Sequence, residues 1–92
     1  MSSDLRKAAA LKYRQGKDSA PKVAAKGSGP VAERIIEIAH ENGIPIKEDV
    51  LMVEMLSTLE LNEQIPENLY KAVAEVFAAI YRALEAHDEG AS

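Results

Sequence analysis

The sequence contains no cysteine. That absence excludes disulfides and thiolate metal sites. Histidine is scarce: His40 and His87 are the two present, and neither has a partner at metal-ligand spacing. A zinc site is not expected, nor is any other metal or cofactor. Aromatic residues are also few, namely Tyr13, Tyr70, Phe77 and Tyr81. No long hydrophobic run occurs. The most apolar region, Leu69 to Leu84, is broken by Lys71, Glu75 and Arg82, so it is not expected to cross a bilayer. Met1 to Arg6 is polar and does not read as a signal peptide. A soluble, cytoplasmic protein is expected. Internal repeats and low-complexity tracts are absent as well.

What is present fits one small domain with a modest core: 92 residues, 47% of them hydrophobic, a composition unlike that of disordered chains. Charge is unevenly spread. Residues 1–27 hold seven basic and two acidic groups, and residues 28–92 hold four basic and thirteen acidic groups. The plain reading is a solvated basic segment on an acidic domain. Binding to a polyanion, or to an acidic protein, is the functional alternative.

Several elements can be placed from local signals. Lys7 to Tyr13 (KAAALKY) is ambiguous, since its residues favour a helix while Ala9, Leu11 and Tyr13 alternate as in a strand. Arg14 to Pro21 is turn material. Lys22 to Lys26 reads as a short strand. Pro30 to about Asn42 reads as an amphipathic helix, with Pro30 in the first turn, Ser28 or Gly29 as cap, and Asn42-Gly43 at its end. Its apolar stripe is Val31, Ala32, Ile35, Ile38 and Ala39. Ile44 to Lys47 (IPIK) reads as a second short strand, which with the first would make a βαβ unit with a parallel pair. Asp49 can cap a helix from Val50 to about Leu59. Pro66 opens a long last helix whose buried face would carry Leu69, Val73, Val76, Phe77, Ile80 and Leu84. The domain proper is expected over residues 8–86, with a flexible terminus at 1–7 and a polar tail at 87–92.

Catalytic chemistry finds little support. In the stretch AAKGSGPVAERI, Ala24 to Ile35, a lysine and two glycines precede a helix, as in a phosphate cradle. A phosphate loop, however, places its lysine after the second glycine; here Lys26 precedes both, and Pro30 removes a backbone donor. A strand-to-helix connection is the better reading. Carboxylate pairs such as Glu48-Asp49 and Asp88-Glu89 suit capping and solvation. With no nucleophile–base constellation, an enzyme is not expected.

Three longer phrases are more specific than any of these signals: ALKYRQGKDSAPKVAAKG, AERIIEIAHENGIPIKED and NEQIPENLYKAVAEVFAAIYR. In order and spacing they resemble the C-terminal cytoplasmic domain of the flagellar export protein FlhB and its injectisome relatives, the FlhB/YscU type III secretion family. The resemblance runs from about Ala8 to Leu84. It implies an α/β fold, a small mixed sheet of about three short strands packed by three helices, and it makes residues 8–13 a strand, tertiary pairing overriding helix propensity. In that family a membrane-embedded half precedes the domain, and an Asn-Pro-Thr-His motif between them cleaves itself. Here the corresponding position reads Ser3-Asp4-Leu5-Arg6, so autoproteolysis is not carried over. The strand before the motif is also missing from the sequence, which leaves a sheet edge that a partner strand could cover. The expectation is therefore a stand-alone, FlhB-like paralogue.

The function this resemblance implies is a non-enzymatic protein-binding module of the flagellar or type III export apparatus. It would contribute to export substrate recognition or specificity switching, and would sit in the cytoplasm or peripherally at the membrane-embedded apparatus. Its partners would be export gate proteins and exported substrate proteins. The residues matching the family's apolar substrate patch are Ala20, Pro21, Ala74 and Phe77. The alternative is a small nucleic-acid-binding domain using Lys7, Lys12, Arg14, Lys17, Lys22 and Lys26; it lacks aromatic interleaving and any recognised motif, so nucleic acid is not the expected partner.

Overall fold

The computed structural model describes residues 6–91, with side chains through residue 85. Its elements are two strands, β1 (Lys7–Lys12) and β2 (Lys22–Ser28), then helices α1 (Pro30–Glu41), α2 (Val50–Ser57) and α3 (Tyr70–Ala91), the last entered through a 3-10 turn at Glu67–Leu69. This is a mixed α/β fold with three helices. Two expectations lie wholly or partly outside the described residues: the loose terminus, except that Lys7 already belongs to β1, and the Ser3–Arg6 position, of which only Arg6 is described. The backbone of α3 runs on through the stretch read as a polar tail as far as Ala91.

The strands form an antiparallel pair. Ala8 faces Gly27, Ala9 faces Lys26 and Ala10 faces Ala25; then the register slips so that Leu11 faces Val23. Ala24 is the extra residue, and the ribbon twists there. Strand geometry at Lys7–Lys12 overrides the helix preference of alanine, leucine and lysine, because β2 offers a backbone ladder that a lone helix would forgo. Alternation then gives each face of the ribbon its own cover. Ala8 and Gly27 face α1, with Ala8 and Ala32 both buried. A side chain on Gly27 would overlap Val31, so glycine here permits the close approach of α1 to β2. On the other face, Lys26 reaches the end of α2, where its Nζ donates to the carbonyls of Ser57 and Leu59 at 3.2 and 2.5 Å. Lys7 Nζ likewise pairs with Glu54 on α2 at 2.8 Å.

Most of the core lies on this second face. Ala20, Val23, Leu56, Leu59, Ile65, Leu69 and Val73 form one buried cluster, with Ala9, Leu11, Met52 and Phe77 packed against it. Each helix start is prepared by the sequence. Gly29 takes a positive φ of 58° so that Pro30 can occupy the first turn of α1. Asp49 accepts a hydrogen bond from the Met52 N–H at 3.0 Å and caps α2.

The expected third strand and βαβ unit are corrected. The described sheet has two strands in antiparallel order, and Ile44 to Lys47 is irregular, exposed and in no strand. Its backbone is already committed: the Ile44 N–H closes the end of α1 on the Ala39 carbonyl at 2.8 Å, and Pro45 has no N–H to give a ladder. The second edge of β2 is met by a later segment instead. Val23 donates to Glu63 O at 3.0 Å, Asn62 to Val23 O at 2.7 Å and Ile65 to Pro21 O at 3.0 Å, a contact that amounts to one bridge, Lys22 with Gln64.

Two helix faces also differ from expectation. In α1 only Ala32 is buried, while Val31 and Ile38 stand exposed, because the ribbon beneath offers alanine and glycine with little side-chain depth. Leu69 in the 3-10 turn and Val73 in α3 are buried, but Leu84 is 51% exposed. A helix of 22 residues is roughly 33 Å long, and from Tyr81 to Glu85 every side chain is exposed.

Candidate functional site

The turn between the strands is held by one ionic clasp. Arg14 Nη2 donates to Asp18 Oδ1 at 3.1 Å, and the Arg14 backbone N–H donates to Asp18 Oδ2 at 2.9 Å. Lys17 and Asp18 N–H close back on the Arg14 carbonyl at 3.0 and 2.9 Å, and Gly16 supplies the positive φ of 86° that the turn requires. The side-chain hydrogen bond from Arg14, aided by its backbone N–H, holds the Asp18 carboxyl below the usual carboxylate range. The same pair raises Arg14 above its ordinary value. Gln64 Nε2 donates to Ser19 Oγ at 3.1 Å and ties the end of the turn to the 62–65 segment. The clasp therefore fixes the path of the chain from Tyr13 to Pro21.

That path forms one wall of a groove of about 340 Å³, and α3 forms the other. Tyr13, Ser19, Ala20 and Pro21 come from the turn, Ile65 from the crossing segment, and Tyr70, Val73, Ala74, Phe77, Ala78 and Tyr81 from α3. The tilted rings of Tyr13 and Phe77, 6.2 Å apart between centroids, join the two walls. The groove is apolar and open to solvent, with tyrosines at its margin. Such a shape can receive apolar side chains of another chain while phenol hydroxyls meet its polar atoms.

The four residues singled out from sequence all line this groove, though not in equal ways. Ala20 is buried at 2% exposure and belongs to the core cluster, so it makes the floor. Pro21 is half-buried beside it, Ala74 is exposed, and Phe77 is half-buried with one side on the core. Sequence reasoning passed over Tyr13, Tyr70 and Tyr81. The signal was present on α3: positions 70, 74, 77, 78 and 81 share one helical face.

The model of the FlhB HrpN YscU SpaS family matches residues 6–80.

The chain belongs to that family.

It is 50% identical over 78 residues to the uncharacterised protein YlqH of Bacillus subtilis, covering 85% of this chain and 84% of that one. It is 49% identical over 74 residues to the flagellar biosynthetic protein FlhB of Escherichia coli, covering 79% of this chain and 19% of that one. The chain thus spans about a fifth of the FlhB it matches. Among solved structures, the cytoplasmic domain of FlhB from Shewanella putrefaciens superposes with a TM-score of 0.76 at 39% identity, over 82% of this chain and 63% of that one. The PscU C-terminal domain gives a TM-score of 0.75 at 31% identity, over 80% of this chain and 95% of that one. The fold is that of the FlhB and PscU domains, and the family ties the chain to flagellar and type III protein export. Among the described residues, no helix is long and apolar enough to cross a membrane.

Proposed function

We propose that the chain is a non-enzymatic protein-binding module of the flagellar or type III export apparatus, and that the groove between the Tyr13–Pro21 turn and α3 receives an apolar segment of an exported protein. Binding there contributes to recognition of export substrates or to switching between substrate classes. The observation that carries this reading is the placement of the aromatic residues. The chain has three tyrosines and one phenylalanine, and all four line this one groove. In a domain of this size, aromatic side chains are the usual means of filling a core; here the three tyrosines stand exposed and Phe77 turns one side to the core and lines the groove with the other, and such aromatic anchors dominate protein recognition. Each apolar side chain seated in the groove gains roughly 1.5–3 kcal/mol.

The second partner class is the export gate itself, on the cytoplasmic side of the membrane. β1 pairs with β2 along one edge, and among the described residues its other edge meets no strand. Such an edge can take up an extended segment.

The nucleic-acid reading is weaker than its charge suggests. Arg14 is clasped to Asp18, Lys7 to Glu54, and Lys26 is spent on the carbonyls that end α2. The basic segment is thus largely the β-hairpin of the fold, with part of its charge neutralised internally.

The test is co-purification of the tagged protein from flagellated cells, wild type beside Phe77→Lys, with the variant's fold checked by circular dichroism. Recovery of export-gate proteins or exported flagellar proteins, with the exported proteins lost in the variant, supports the proposal. Recovery of nucleic acid alone, released by salt and indifferent to Phe77, overturns it.

A further inference from the structure

A second surface, sharing no lining residue with the aromatic groove, has features that packing does not explain. Helix α2 reads VLMVEMLS, with Glu54 its one charged residue. A helix that buries one side needs apolar residues on that side alone. α2 carries them on both. Leu56 faces the core, whereas Val50 and Leu51 are 76% and 77% exposed and Met55 is 43% exposed. Leu51 and Met55 are one turn apart on the same face, with Glu54 beside them. The irregular segment that leads into α2 adds two more exposed isoleucines, Ile44 and Ile46. At its far end the Met55 side of α2 opens into a groove of about 340 Å³ closed by Leu59, Pro66 and Leu69.

The charge around this surface is mostly acidic, although Lys7 and Lys26 reach α2 from the ribbon. Residues 44–69 contain six acidic groups, Glu48, Asp49, Glu54, Glu60, Glu63 and Glu67, against one basic group, Lys47. All six carboxylate residues are exposed. Glu54 is partly answered by Lys7. A second copy of the chain presenting the same face would bring like charges together, and an anionic membrane would be repelled in the same way. A cationic chain with apolar anchors would be attracted and would cover the exposed residues.

We propose that the outward face of α2, with the groove at its C-terminal end, is a second docking surface, and that its occupant is a basic amphipathic segment of a partner protein. Leucine-sized anchors at helical spacing lie along Leu51 and Met55 and enter the groove over Leu59 and Pro66. Lysine or arginine on the flanks meets Glu54 and Glu67. This surface is independent of the aromatic groove, and the domain could hold an exported segment and this partner together.

The experiment is an NMR titration of the full chain with a synthetic amphipathic peptide of about 18 leucine and lysine residues at helical spacing. A lysine/serine peptide of equal charge and a leucine/glutamate peptide serve as controls. The expected result is amide shifts confined to α2 and residues 66–69, for the leucine/lysine peptide alone. Affinity falls about tenfold in Leu51→Ser/Met55→Ser and again in Glu54→Gln/Glu67→Gln, and is unchanged in Phe77→Ala. Leu51 and Met55 are exposed, so the variants retain the fold; Leu51→Ser alone gives an intermediate loss. Equal binding of the lysine/serine peptide, shifts at Tyr13 and Phe77 instead, or no binding would overturn the proposal. So would self-association, or capture by phosphatidylglycerol vesicles, that Leu51→Ser abolishes. Loss of function at Phe77 leaves this outcome untouched, so the two readings fail separately.

Discussion

The ring of Tyr13, just past the end of β1, lies 6.2 Å from the ring of Phe77 on α3, tilted by 31°. This contact joins the turn after β1 to α3 and bridges the two walls of the groove. Its geometry is that of a favourable aromatic pair, for which double-mutant cycles give about 0.5–1.5 kcal/mol. A cycle of Tyr13→Ala, Phe77→Ala and the double variant, followed by urea unfolding, is expected to show coupling in that range. Strict additivity would mean that the walls are held apart by other contacts.

The carbonyl ends of α2 depend on Lys26. Its Nζ, half-buried, donates to both Ser57 and Leu59, where a cation also complements the helix dipole. Lys26→Met keeps the stem and removes the donors. It is expected to cost about 1.5–3 kcal/mol and to speed hydrogen exchange in the last turn of α2 before the rest of the domain. Unchanged exchange there would show that water replaces the lysine without loss.

Gly27 sets the distance between β2 and α1. A Cβ there overlaps Cγ1 of Val31 and sits 2.8 Å from its Cβ. Gly27→Ala is therefore expected to destabilise the domain by about 1–3 kcal/mol through overpacking. Adding Val31→Ala removes the Cγ1 overlap but leaves the Cβ contact, so it restores part of the loss. Full stability in Gly27→Ala would show that α1 floats freely over the ribbon.

Asp18 gives the turn a dependence on pH. Its folded-state carboxyl is shifted downward by the hydrogen bonds from Arg14. A depressed carboxylate contributes stability above its unfolded value, about 3.9, and that contribution is lost as pH falls through the lower folded value. Asp18→Asn is expected to lower stability at neutral pH and to flatten the acid limb of the stability curve. Parallel curves for the two proteins at all pH values would remove the clasp from the account.

Much of this architecture was legible in the sequence, and the failures have local causes. Pro30, Asp49 and Pro66 marked helix starts through capping and ring chemistry that act within one turn. The groove residues Ala20, Pro21, Ala74 and Phe77 came from family resemblance, since nothing local in an Ala-Pro turn announces a binding wall. Tyr70 and Tyr81 were readable from helical spacing but lay beside the stripe counted as core. IPIK failed because an apolar run has no way to report that its N–H groups are already spent or lack a partner. Leu84 failed because periodicity marks which face is apolar and leaves open whether anything lies beneath it. The α2 surface was hidden for a related reason: the sequence placed a helix from Val50 to about Leu59 without a polar face to orient it, and only exposure shows that Val50 and Leu51 face water.

The central claim is that the groove between the turn and α3 holds an apolar segment of an exported protein. The most direct measurement is an NMR titration of the wild-type chain and of Phe77→Lys with a purified exported flagellar protein. The account predicts amide shifts clustered at Tyr13, Ala20, Ala74 and Phe77, with affinity falling at least about tenfold in the variant. Shifts elsewhere, or equal affinity for both proteins, would contradict it.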